Sequence, residues 1–346
     1  MATQRWTAPT AQSPEEESHG FALRPRRLDE YIGQRDLKER LRIAIDAARA
    51  RGEPAEHLLL HGPPGLGKTT LAHVVAAEMD AGVHVTAGPA LTRPSDLVGA
   101  LTKLKPGDVL FIDEIHRLPA AVEEFIYPAM EDGRIDITLE SGINAQSVSL
   151  TLNPFTLIGA TTRAGLLSSP LRSRFGLTHH LRYYDEGELL TILVRSASLL
   201  ELVAEEVALG SIASRSRGTP RIANRLLRRV RDYAQVRAGG RVSTSVVDEA
   251  LALEGIDRLG LDQLDRSYLE AIARTYKGGP AGLEAIAATM GEDAGTLEDV
   301  VEPYLLQIGF VARTRRGRQL TADGITFTGV KIDPPPQDEL FEAPDE

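Results

Sequence analysis

Gly62-Pro63-Pro64-Gly65-Leu66-Gly67-Lys68-Thr69 fills every fixed position of the pattern G-x-x-x-x-G-K-[ST]. A polyphosphate needs backbone N–H groups that converge on it, and glycines such as Gly65 and Gly67 let the chain turn tightly enough to aim them. In such a loop Lys68 lies along the β- and γ-phosphates as a point charge, and the Thr69 hydroxyl holds Mg²⁺. The flanks agree with this reading. His57-Leu58-Leu59-Leu60 reads as a buried strand, and Thr70 to Met79 reads as a helix. A chance Gly-rich turn would lack that setting, in which the helix N-terminus adds its dipole to the anion site. The expectation is a site for ATP or GTP.

Working outward, 346 residues suffice for two or three domains and a sizeable core. An apolar content of 42% with 25% charged residues is ordinary for a soluble globular chain. The absence of cysteine excludes disulfides and thiolate metal sites. The eight histidines are scattered, and the tightest pair, His179-His180, reads as ordinary polar residues. The segment up to Gly20 is polar and has no apolar core for a signal peptide, and no stretch reaches the roughly 18 apolar residues of a membrane span. A cytoplasmic protein without a membrane partner is expected. The net charge of −10 argues against bulk attraction to nucleic acid, but it hides asymmetry. Nine arginines against one acid, Asp232, fall between Arg215 and Arg241, and four of the six residues Arg313 to Arg318 are arginine. The last residues are Pro-rich and acidic and read as a disordered tail.

The block from Phe21 to Leu181 alternates strand and helix patterns. Val83-His84-Val85-Thr86 reads as a strand. Asp108 to Glu114 is an apolar run ending in two acids, and Thr156 to Thr162 is one ending in hydroxyls. Short apolar strands separated by helices indicate a parallel sheet covered on both faces. One segment breaks the rhythm. Ile135, Ile137 and Leu139, then Val148, Leu150 and Leu152, alternate with polar residues around a Ser141-Gly142 turn, the pattern of an inserted β-hairpin. It reads equally well as an edge hairpin that only packs and as a protruding arm for a partner. From Tyr183 to Leu253 the pattern is helical. From Gly255 to Val330, three short helices precede two brief strands around the arginine-rich turn, which suggests a winged helix.

Asp113-Glu114 at a strand end, some fifty residues after the phosphate loop, reads as the Walker B pair. Its aspartate holds the Mg²⁺ shell and its glutamate orients and deprotonates water. Thr161-Thr162 ends the next strand, where a hydroxyl can touch the γ-phosphate or the water. Arg174 and Arg221 carry no local motif value. In this order, however, Gly62–Thr69, Phe111-Ile112-Asp113-Glu114, Gly159-Ala160-Thr161-Thr162-Arg163, Ser173-Arg174-Phe175 and Gly218-Thr219-Pro220-Arg221 resemble an AAA+ ATPase. Arg24-Pro25, Leu28-Asp29-Glu30-Tyr31-Ile32-Gly33-Gln34, Asp113-Glu114-Ile115-His116-Arg117-Leu118 and the Arg313–Arg318 turn resemble the RuvB family within it, the bacterial Holliday-junction branch-migration motors.

That resemblance implies an α/β P-loop AAA+ core with a parallel sheet, a small all-α lid and a C-terminal winged helix. The implied boundaries are a disordered arm over 1–20, the ATPase domain over 21–181 with the hairpin at 134–152, the lid over 182–254, the winged helix over 255–330 and the tail over 331–346. It gives Lys68, Thr69 and Thr70 to the phosphates, Asp113 to Mg²⁺ and Glu114 to water activation. It makes Thr162, ahead of Thr161, the first sensor and Arg221 the second. Arg174 becomes the finger inserted into a neighbour, with Glu131 and Asp132 approaching that neighbour's nucleotide. Leu23, Arg24, Tyr31, Ile32 and Tyr184 surround base and ribose. The implied assembly is a homo-hexamer that drives duplex DNA at a Holliday junction, docks RuvA on the hairpin and works with RuvC. Arg313, Arg316 and Arg318 grip phosphates, while Arg315 stands where the family's turn has proline. Three readings compete: another AAA+ machine such as a clamp loader or unfoldase, a non-hydrolysing ATP-bound regulator, and a DNA surface made of the arginines between Arg215 and Arg241.

Overall fold

A computed structural model describes residues 6–7, 23–138 and 147–331. Most of the expected N-terminal arm, the tip of the hairpin and the acidic tail from 332 onward lie outside the described residues. The chain divides into two compact units, Pro9–Thr244 and a second made of Met1–Ala8 with Ser245–Glu346.

The larger unit begins with helix α1 (Arg35–Arg51) and strand β1 (Leu58–His61), followed by the phosphate loop and α2 (Lys68–Glu78). Then come β2 (Val83–Ala87), α3 (Pro94–Leu101), β3 (Val109–Asp113) and α4 (Ala120–Glu131). The hairpin is β4 (Arg134–Thr138) with β5 (Ser147–Thr151), and β6 (Thr156–Thr161), α5 (Ser169–Ser173) and β7 (Leu177–His180) complete the α/β part. The sheet runs β2-β3-β6-β1-β7, and every pairing in it is parallel. All of β6, and the first four residues of β3, are buried, which is what strands covered on both faces require. Leu59, Leu97, Leu110, Ile112, Ile126 and Leu157 belong to one core cluster beneath the site. β7 is a strand that no apolar pattern announces. It is polar, yet His179 is buried and pairs with Leu60, while His180 stacks on His61 with ring centroids 4.9 Å apart.

The hairpin is antiparallel, with Ile135 opposite Leu150. Its base packs on the protein: Ile135 and Leu152 are buried in the core cluster, whereas Val148 is 46% exposed.

The helical part contains α6 (Glu186–Leu199), β8 (Val203–Ala204), α7 (Glu206–Ser214), α8 (Pro220–Arg237) and β9 (Arg241–Val242). Asp185 caps α6 by accepting the Glu188 N–H at 2.7 Å, and the Glu188 carboxylate accepts the Asp185 N–H in return. In α8 a proline opens the helix, and Ile222, Leu226, Val230 and Ala234 form a buried stripe at helical spacing. A two-residue parallel ladder between β8 and β9 is an addition to the helical reading.

The smaller unit packs α9 (Thr244–Leu253), α10 (Gln263–Glu270), α11 (Leu283–Met290) and a helical run ending in α12 (Glu302–Gln307) ahead of an antiparallel hairpin. That hairpin is β10 (Val311–Thr314) and β11 (Gly317–Leu320), and α13 (Ala322–Thr328) follows. Tyr268, Leu269, Ile272, Ile286, Leu297, Val301 and Leu305 are its wholly buried core. This is a winged helix. Thr7, also wholly buried, joins it through a hydrogen bond to Asp262.

Candidate active site

The phosphate loop sits at the carboxyl end of β1, where ligands bind in open parallel sheets. Helix α2 starts at Lys68 with Gly67 as its N-cap at φ 96°, so no side chain caps the first-turn N–H groups, and that turn carries no acid. These donors face an anion site. A Cβ on Gly67 would lie 3.2 Å from the Tyr31 hydroxyl, so the loop needs glycine for both conformation and space. Lys68 is only 7% exposed and donates to the Gly62 and Pro63 carbonyls at 2.8 and 2.9 Å. Burial pushes its ammonium down to about 8, against the pull of the Asp113 and Glu114 carboxylates.

Asp113 and Glu114 follow β3 onto the same cavity. Burial raises the Asp113 carboxyl, and the neighbouring Glu114 charge acts in the same direction. Glu114 adopts the left-handed backbone (φ 47°), an uncommon conformation for a residue other than glycine. Its Oε2 accepts the Thr162 hydroxyl at 3.1 Å and lies 3.1 Å from His116 Nδ1. His116 Nδ1 in turn bonds the Thr161 hydroxyl at 2.8 Å, and Thr161 accepts the Arg163 N–H. Of the two threonines, Thr162 lines the cavity and Thr161 is wholly buried behind it.

A cleft of about 320 Å³ unites these groups. Its walls include Leu23, Arg24, Tyr31, Ile32, Thr69, Thr70 and Tyr184. The Tyr184 hydroxyl donates to that of Tyr31 at 3.1 Å, and burial raises both phenols, Tyr31 to about 12. From α8 come Arg221, Asn224 and Arg228, one helix face at three- and four-residue spacing. The buried Asn224 Oδ1 has no hydrogen-bond partner among the described residues, so an acceptor is left for a ligand or water. Thr69 and Asp113 provide two hard oxygens in this cleft, and no cluster of three acids or histidines suited to a metal occurs among the described residues. That donor set fits Mg²⁺, which is usually held by one or two protein oxygens with water and phosphate completing the shell.

Residues beyond the motifs also belong here. Arg195 on α6 donates to the Leu23 carbonyl at 2.7 Å and to Glu30 at 3.0 Å, clasping the segment that carries Leu23, Arg24, Tyr31 and Ile32. Nothing in its local sequence marks it. His116 was legible only as part of a family stretch.

Arg174, Glu131 and Asp132 do not line this cleft. The Arg174 guanidinium meets Glu131 through Nε at 3.1 Å and Nη2 at 3.2 Å and donates to the Pro170 carbonyl at 2.7 Å. It also lies 4.3 Å from the centroid of the Tyr127 ring. Asp132 pairs with Arg134 at 3.3 Å. In the winged-helix unit, Arg316 is exposed, while Arg313 and Arg318 both bond Glu302.

A parallel sheet of this order with a capless helix after a glycine loop, paired strand-end acids and a helical lid facing the same cleft defines a P-loop nucleotide-binding ATPase core. Family models match most of the chain: "Holliday junction DNA helicase RuvB P-loop domain" over residues 23–181, "RuvB AAA lid domain" over 184–257 and "RuvB C-terminal winged helix domain" over 258–329. The "Holliday junction branch migration complex subunit RuvB" of Desulfosudis oleivorans is 54% identical over 94% of this chain and 96% of its own. Its counterpart from a Picosynechococcus species is 57% identical over 92% and 88% respectively. The solved Thermotoga maritima RuvB branch migration motor superposes with a TM-score of 0.81 at 50% identity, covering 90% of this chain and all of that one. The chain belongs to the RuvB family.

Proposed function

We propose that this chain is an ATP-driven motor that moves duplex DNA to drive branch migration at Holliday junctions. The observation that carries the reading is the Glu114 carboxylate lining one cleft with the phosphate loop, a cleft walled by both sheet and lid. A site so built can hydrolyse ATP and transmit the result to a hinge.

Backbone N–H groups of residues 62–69 with Lys68 and Thr70 take the phosphates, and polyphosphate gives the buried Lys68 ammonium its counter-charge. Thr69 and Asp113 hold Mg²⁺, which when bound offsets charge on the β- and γ-phosphates. Glu114 removes the proton from the attacking water. Its carboxylate rests on Thr162 and His116, so Thr162, as first sensor, links γ-phosphate occupancy to release of the base. Leu23, Arg24, Tyr31, Ile32 and Tyr184 hold base and ribose, and Arg221 reports nucleotide state to the lid. Arg174, outside its own cleft, serves a neighbour's in a six-membered ring, with Glu131 and Asp132 at the same edge. The division of labour follows 21–181 as ATPase, 182–254 as lid and 255–330 as a DNA-holding winged helix. The exposed outer part of the β4–β5 hairpin docks RuvA, and the complex acts with RuvC in the cytoplasm. Among the described residues no helix is long and apolar enough to cross a membrane.

The test is conversion of a synthetic four-way junction to duplex products, with ATP turnover followed in parallel, with and without RuvA. ATP-dependent conversion stimulated by RuvA is expected. ATP turnover indifferent to DNA, with no junction movement, overturns the proposal.

A further inference from the structure

Residues 23–34 supply Leu23, Arg24, Tyr31 and Ile32 to the wall of the cleft, yet they form neither helix nor strand. Their backbone groups must find partners elsewhere, and those partners fix where the segment lies. Its later part is tied to the α/β part. The Leu28 N–H donates to the Glu78 carboxylate at 2.8 Å and Arg27 donates to the Ala77 carbonyl at 3.3 Å, both near the end of α2. The Gln34 amide donates to the Arg182 carbonyl at 2.6 Å and accepts the Arg182 N–H at 3.2 Å. The earlier part is held from the lid. Arg195 on α6 donates through Nη1 to the Leu23 carbonyl at 2.7 Å and through Nη2 to the Glu30 carboxylate at 3.0 Å. Glu30 also accepts the Arg26 N–H at 3.0 Å, which ties the turn between these two contacts.

The two bonds of Arg195 differ in strength. Leu23 is only 6% exposed, and a cationic donor on its carbonyl makes a strong bond that water does not readily replace. The Glu30 side chain is 41% exposed, so water screens that ion pair. Arg195 lies three residues beyond Ile192, and both line the cleft from one face of α6. The same lid helix therefore walls the cavity and holds the segment opposite. The phosphate half has no such dependence. Lys68 bonds carbonyls of its own loop, and Gly67 sets the start of α2.

We infer that Arg195 is a positioning residue for the nucleobase: through the Leu23 carbonyl the lid sets where residues 23–32 meet base and ribose, while phosphate capture does not pass through it. The inference rests on the proposed assignment of base and ribose to Leu23, Arg24, Tyr31, Ile32 and Tyr184. A nucleotide seated against this segment binds most tightly with the lid in place, and so draws the lid toward that place.

The test compares two probes on the full-length protein, ATP and inorganic tripolyphosphate, which offers phosphates without base or ribose. Filter retention of labelled ATP gives its Kd, displacement by tripolyphosphate gives the second Kd, and kcat is read at saturating ATP. Arg195→Leu is expected to weaken ATP at least about 10-fold, the loss of one bond from a charged donor, with kcat near native. The tripolyphosphate Kd is expected to stay native. Glu30→Gln keeps the Leu23 bond and is expected to hold ATP within about 2-fold of native. Arg195→Lys keeps the charge but loses the two-pronged reach, and is expected to fall between them. The inference is overturned when Arg195→Leu weakens ATP and tripolyphosphate alike, the mark of general loosening, or weakens neither. A native chain that binds ATP no more tightly than tripolyphosphate overturns the base assignment itself, and the inference with it.

Discussion

Replacing Glu302 by leucine removes the one carboxylate on which Arg313, Arg318 and the Tyr268 hydroxyl converge. Glu302 is wholly buried and the Arg318 side chain is only 18% exposed, so water cannot take over. Removing one partner from such a group costs about 3–5 kcal/mol. For a unit of this size each kcal/mol lowers the melting midpoint by roughly 4–8 °C, so a fall of well over 10 °C is expected. Arg318→Met on top of Glu302→Leu removes the more buried of the stranded cations, while Arg313, 44% exposed, can turn to solvent. The double variant is expected to recover at least half of the loss, a coupling above about 2 kcal/mol in a double-mutant cycle, because neighbours in one charge network are non-additive. Trp6 is the only tryptophan and belongs to the same compact unit, so its emission during urea unfolding reports that unit selectively. Additivity within about 0.5 kcal/mol would refute the reasoning. The pH dependence carries the same signature. Burial raises the Glu302 carboxyl, but hydrogen bonds from Arg318 and Tyr268 and the Arg313 charge outweigh it and hold it below its ordinary 4.5. The stabilisation is therefore complete above that ordinary value and is lost as pH falls through the lower folded value. Glu302→Leu is expected to flatten that acid limb.

Lys68→Ala should abolish nucleotide binding, whereas Glu114→Gln should bind ATP and retain it, as measured by filter retention and phosphate release. Native hydrolysis by the latter removes Glu114 as the base. Arg174→Ala should bind ATP but not hydrolyse it, and mixing it with Lys68→Ala should restore partial activity; no rescue in demonstrably mixed rings argues against action in trans. Tyr127→Phe keeps the ring beneath Arg174 and should be near native, while Tyr127→Leu forfeits a contact of about 1 kcal/mol and should lower kcat roughly 5-fold at unchanged ATP affinity. Equal rates for the two variants sink the positioning role. Val148→Asp, on the exposed part of the hairpin, should spare basal ATPase and lose RuvA stimulation. Unchanged RuvA binding in a pull-down would return the hairpin to packing alone.

The strands flanking the phosphate loop were legible because buried parallel strands are nearly all apolar, as β1, β3 and β6 are. β7 was not, since an edge strand needs to bury only one face, and Leu177-Thr178-His179-His180 carries no apolar run. Lys68, Asp113 and Glu114 could be read from spacing because each is fixed to a loop or strand end by local chain geometry. Arg195, Asn224 and Arg228 could not, because their place in the cleft depends on how a distant helical segment folds over it. The arginine turn shows the same limit at shorter range. Composition marked four cations, but only the strand register distinguishes those facing Glu302 from those facing solvent.

Two guanidinium nitrogens of Arg174 are hydrogen-bonded within its own chain, Nη2 to Glu131 and Nη1 to the Pro170 carbonyl, and Nε lies 3.1 Å from the same Glu131 carboxylate without hydrogen-bond geometry. On the in-trans reading, a neighbour's triphosphate recruits this arginine only by displacing Glu131, so one ion pair dissolves as another forms. Charge is exchanged at such a joint rather than created, and the net electrostatic gain on closing it is small. Alignment then decides which anion holds the arginine. A subunit boundary of that kind behaves as a two-position switch with a shallow throw, easily reversed, which suits a ring that must remake each contact at every turnover.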